Sequence, residues 1–117
     1  MGVGGVSAPL LSQLKAAKNG LEDAHIRLCG AVTAHAEAKR ALELAEAFKL
    51  CEGVDGKNEK ERAAKLRLEL STETTTLHEA EDGLTETRCA YEVARLEWDL
   101  VRYELRALEI HTLEVAA

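Results

Sequence analysis

The stretch Leu77–Leu105, LHEAEDGLTETRCAYEVARLEWDLVRYEL, decides the fold. Within it Leu77, Ala80, Leu84, Thr87, Tyr91, Ala94, Trp98, Val101 and Leu105 follow one another at alternating three- and four-residue steps. That period keeps one face of an α-helix apolar and is foreign to a strand, whose side chains repeat every second residue. The alternation continues backwards through Glu73, Leu70, Leu66 and Ala63, and forwards through Leu108, Thr112 and Val115. The spacing predicts a helix over 58–115.

Upstream, Leu14, Leu21, Leu28, His35 and Leu42 recur every seven residues, and three places on Ala17, Ala24, Ala31, Ala38 and Ala45 do the same. This is a heptad seam with one row of alanines, which lets a neighbouring helix approach toward the short end of the usual roughly 8–10 Å spacing. Ser7 as N-cap and Pro9 in the first turn predict a helix over 9–52, preceded by a flexible, Gly-rich segment 1–8. Between the helices, Gly53-Val54-Asp55-Gly56-Lys57 predicts a turn over 53–57, and Asn58 with Glu61 reads as a capping box.

A connection this short makes the two helices antiparallel neighbours. The predicted fold class is all-α, a long antiparallel αα-hairpin forming one domain over 9–117. Its core is Leu14, Leu21, Leu28 and Leu42 against Leu70, Leu77, Leu84, Tyr91, Trp98 and Leu105. A split at the weakly helical run Ser71–Thr76 gives the alternative, a three-helix bundle. Folding about Asp55 sets His35 opposite Thr75, within a turn of Glu73, and predicts a buried polar pair, His35–Glu73, that fixes the register.

A second row, Cys89, Val93, Leu96, Leu100, Tyr103, Ala107 and Ile110, lies on the opposite face of the second helix. A two-helix hairpin buries only one of these faces. The row therefore predicts an oligomer interface, with the chain pairing with itself as a homodimer or higher oligomer, most simply an antiparallel four-helix bundle.

The 117 residues carry 15 Lys and Arg against 21 Asp and Glu, a net charge of -6, which disfavours direct nucleic-acid binding. The excess lies in the second half. Glu69, Glu79, Glu81, Asp82 and Glu86 form an acidic face with no cation between Arg67 and Arg88, a surface suited to a basic protein partner. No apolar run is long enough for a membrane span, and the first residues lack the pattern of a secretory signal, so a cytoplasmic protein is expected.

Cys29, Cys51 and Cys89 are odd in number and form no C-x-x-C, which points to reduced thiols. Glu22-x-x-His25 has the i, i+3 spacing of a carboxylate-bridged metal site but lacks the second such motif that a site requires. His25, His78 and His111 read as surface or boundary residues. With no H-E-x-x-H, G-x-x-x-x-G-K-[ST] or G-x-S-x-G present, no enzyme, cofactor or metal is expected.

The turn Gly53-Val54-Asp55-Gly56-Lys57-Asn58-Glu59-Lys60-Glu61-Arg62 resembles the G-x-x-G-K-N-x-x-x-R turn of small helical-hairpin proteins encoded by bacteriophages and prophages. The resemblance covers about ten residues. It implies a non-catalytic phage protein of the bacterial host cytoplasm, an accessory to DNA metabolism or an antagonist of a host system, and carries over no functional residues. The residues themselves predict a structural or protein-interaction module that self-associates. The alternatives are an accessory or inhibitor docking through the acidic face, and a small-molecule sponge with pockets at subunit junctions.

Overall fold

A computed structural model describes the backbone of Gly2–Ala116 and the side chains of residues 8–116. The described chain is helical apart from the segment between Glu52 and Glu59 and a single turn residue, Leu70. The elements are α1 (Gly2–Glu52), α2 (Glu59–Glu69) and α3 (Ser71–Ala116), and the fold is an all-α helical hairpin. Contacts gather the chain into two compact units, one joining residues up to Leu28 with those from Thr87 onward, the other spanning Cys29–Glu86. In each, part of α1 lies against the returning chain.

Helix α1 begins at Gly2, ahead of the start near Pro9 that the sequence predicts, and Pro9 sits inside it. Much of the segment predicted to be flexible thus belongs to α1, while Met1 lies outside the described residues. A proline inside a helix forfeits one ladder hydrogen bond, and here the helix continues past that loss. The other end follows the sequence closely. Gly53, at φ 89°, donates its N–H to the Lys49 and Leu50 carbonyls at 3.1 and 3.3 Å, a left-handed C-cap that a Cβ would strain.

The predicted helix over 58–115 is interrupted at Leu70. Leu70 (φ −99°, ψ 14°) caps α2, yet its N–H still reaches the Leu66 carbonyl at 3.0 Å and its own carbonyl accepts from Thr74 at 2.9 Å. The break falls at the mouth of the Ser71–Thr76 run, where hydroxyls compete for backbone carbonyls: Thr76 Oγ1 donates to the Thr72 carbonyl at 3.0 Å. Leu70 is itself buried and anchors the joint.

Burial follows the seam. On α1, Leu14, Ala17, Leu21, Ala24, Leu28, Ala31, His35, Ala38, Leu42, Ala45 and Lys49 are buried or half-buried; on the returning chain Leu66, Leu70, Glu73, Leu77, Ala80, Leu84, Thr87, Tyr91, Ala94, Trp98, Val101, Leu105 and Leu108 are. The seam's predicted outer members Ala63, Thr112 and Val115 are exposed. Ala24, Ala38, Leu70 and Leu84, at 6–8% exposed, are the buried residues among those described.

The connection is not the tight reversal about Asp55 that the sequence predicts. Asp55 Oδ2 meets Lys65 Nζ at 3.5 Å, the Arg62 guanidinium donates to the Gly56 carbonyl at 3.3 Å, and Val54 shares a small groove with Leu50, Arg62, Ala63 and Leu66. The loop therefore runs back along the first turns of α2. A Cβ on Gly56 would stand 2.9 Å from the Arg62 backbone nitrogen, so only glycine fits. Gly20, by contrast, faces open space in mid-helix. Gly20→Ala should raise stability by about 0.5–1 kcal/mol. Gly56→Ala should lower it, and chemical unfolding at fixed protein concentration reads both.

Candidate interaction surface

Because the loop takes up the first turns of α2, residues across the seam meet later than a tight turn would set them. His35 Nε2 lies 4.0 Å from Glu81 Oε1, where folding about Asp55 puts Thr75 opposite. Tyr91 lies against His25, ring centroids 5.8 Å apart, where the same register predicts Asn19. The shift is about six residues in both units. The predicted His35–Glu73 pair is therefore not formed: Glu73 Oε2 is buried without a hydrogen-bond partner, and His35 faces Glu81 instead. At 4.0 Å and half exposed on the Glu81 side, that contact ranks with weak surface pairs and is ionic only when His35 is protonated.

The hairpin-core residues named from the sequence are all placed in the seam, with Leu70 and Leu84 buried and Leu14, Leu21, Leu28, Leu42, Leu77, Tyr91, Trp98 and Leu105 half-buried. The acidic face is less bare than the sequence reads. Lys49 Nζ, delivered by α1, stands 4.0 Å from Glu69 Oε2, and His35 meets Glu81. A scan along one helix does not reveal cations that the other supplies. Glu79, Asp82 and Glu86 are exposed and take part in none of the ion pairs seen among the described residues.

The outward row of α3 is open along its length. Val93, Leu96, Leu100, Tyr103 and Ile110 are 55%, 66%, 59%, 69% and 49% exposed, and Cys89 and Ala107 are exposed too. Beside it, Tyr103 and Ile110 share an open, largely apolar groove with Leu14, Trp98, Arg102 and Arg106; the Arg102 guanidinium lies 5.9 Å from the Trp98 ring centroid. Outside the row, further apolar side chains are exposed that sequence reading missed: Leu44 and Phe48 on α1 and Leu68 on α2 are 65%, 64% and 76% exposed. Leu44, Phe48 and Cys51 keep helical spacing off the α1 seam, a signal the sequence carries for the two on α1.

Among the described residues no three His, Cys, Asp or Glu side chains gather closely enough to hold a metal ion, and no helix is long and apolar enough to cross a membrane. The residues of the G-x-x-G-K-N-x-x-x-R turn have structural work. Glu61 N–H donates to Asn58 Oδ1 at 2.8 Å, Glu61 Oε2 accepts from the Lys57 N–H at 3.1 Å, and Arg62 holds Gly56. This is a capping box whose return bond lands one residue before the N-cap. No protein-family model matches the chain, and no curated protein or solved structure matches it.

In the seam, Glu73 carries a buried oxygen without a hydrogen-bond partner, and an acceptor so placed forfeits its hydration. Glu73→Leu should raise the unfolding free energy by roughly 1–3 kcal/mol, measured by urea titration at fixed chain concentration.

Proposed function

We propose that this chain is a non-catalytic interaction module, a helical hairpin that self-associates and presents the assembled surface to another protein. The observation that carries this reading is the outward row of α3, whose five large side chains are 49–69% exposed. Soluble monomers rarely leave so long an apolar row uncovered. An odd number of cysteines with no C-x-x-C fits a cytoplasmic protein, of the bacterial host if it is phage-encoded.

The second reading is an accessory or inhibitor of the phage type that docks on a basic nucleic-acid-binding or host-defence protein. It rests on Glu79, Asp82 and Glu86, exposed and outside the observed ion pairs. Such docking weakens with salt and with charge reversal at Glu79, Glu81 and Asp82. Capture of a partner that ignores both would exclude it.

Light scattering coupled to size exclusion should give a mass at a multiple of 12.8 kDa. Leu100→Glu with Tyr103→Glu should return the single-chain mass with helicity intact by circular dichroism. A wild-type chain monomeric at every concentration sinks the first reading.

A further inference from the structure

We infer that a second copy of this chain docks antiparallel on the outward row of α3, with the two-fold axis between Leu100 and Tyr103. This deepens the self-association proposed above and rests on it.

The extent of the row selects the centre. Its three- and four-residue steps meet Glu86 just before Cys89 and Glu114 just after Ile110, so the apolar run is closed by a carboxylate at each end. In an antiparallel pair, a residue of the set Val93, Leu100, Ala107 meets one of the set Cys89, Leu96, Tyr103, Ile110 from the other copy. Two centred registers satisfy this. One sets Ile110 against Glu86 of the second copy and strands a large aliphatic side chain beside a carboxylate. The other sets Leu100 against Tyr103, Leu96 against Ala107 and Val93 against Ile110, leaving only Cys89 beside Glu114. Leu96 on Ala107 also matches a large side chain to a small one, the complementarity a close-packed layer needs.

Area is consistent with this occupant. The exposed fractions of the row leave on the order of 600 Å² per copy to be covered, and flanking side chains bring that near the roughly 800 Å² per partner of a standard interface. Charge separates antiparallel from parallel pairing. Arg106 takes part in none of the ion pairs observed among the described residues, and Asp99 has only its own chain's Arg102 at 3.9 Å. The antiparallel register brings Arg106 of each copy beside Asp99 of the other, twice by symmetry. A parallel pair would instead set Glu92 beside Glu97 and Asp99 beside Glu104, like charges along both flanks. The antiparallel pair keeps one kind of like-charged contact, Glu97 with Glu104, also twice by symmetry, at its solvated rim.

Disulfide trapping in a chain with Cys29→Ser, Cys51→Ser and Cys89→Ser tests this. Leu96→Cys chains mixed with Ala107→Cys chains, distinguished by a tag on one, should link under mild oxidation about tenfold faster than either does alone. Both substitutions lie on exposed positions, and circular dichroism with light scattering checks that helicity and mass are kept. Self-linking of Leu96→Cys at the rate of the mixture would overturn the antiparallel arrangement. Preferential linking of Leu96→Cys to Leu100→Cys would overturn the register. A two-chain mass with no link at any of these positions would overturn this interface while leaving self-association standing, and a monomeric mass would overturn both.

Discussion

The side-chain asymmetry of the seam is the constraint on which the rest depends. Helix α1 offers alanine at every second core position, and Ala24 and Ala38 are among its most buried residues. The returning chain offers Leu77, Leu84, Tyr91, Trp98 and Leu105 in the seam. A row of methyl groups lets backbones come close, and the bulk on the other side fills what remains. The interior so made is thin. Each side of the seam buries one stripe, so most seam residues stay half-exposed, and the outward row of α3 stays exposed among the described residues.

The loop sets the register within which that seam works. Gly53 ends α1, but the chain then lies along α2, held by Arg62 on Gly56 and Lys65 on Asp55. Gly56 is needed there for closeness to Arg62 and not for a positive φ. Two cross-seam contacts, one in each unit, share the same offset. His35 reaches Glu81, Tyr91 reaches His25, and Glu73 is left in the seam with a bare carboxylate oxygen.

Polar seam positions are treated in three ways. Lys49 snorkels from the seam toward Glu52 and Glu69, both at 4.0 Å, so its ammonium stays wet. His35 reaches outward to an exposed carboxylate. Glu73, close after the joint at Leu70, buries one oxygen without a donor. Such a residue weakens the hairpin, the cost that an unpartnered polar heptad position carries.

The sequence by itself determined the helical class, the seam from Leu14 to Leu108 and the caps on either side of the loop, because these depend on local spacing and neighbouring residues, but not the start of α1 at Gly2 or the break at Leu70. A 3-4 alternation selects one helical face whatever lies across from it, Gly53 caps wherever α1 stops, and Asn58 finds the Glu61 amide three residues on. The exposed row of α3 was legible for the same reason, as a second alternation with no face left to bury it. Only tertiary structure decided the partners. The register depends on how an irregular loop packs, which heptad spacing does not encode, since sliding one helix by a heptad keeps every seam residue in the seam. The same holds for the cations that Lys49 and His35 bring to the acidic face: they arrive from another helix, and their effect depends on distance in space.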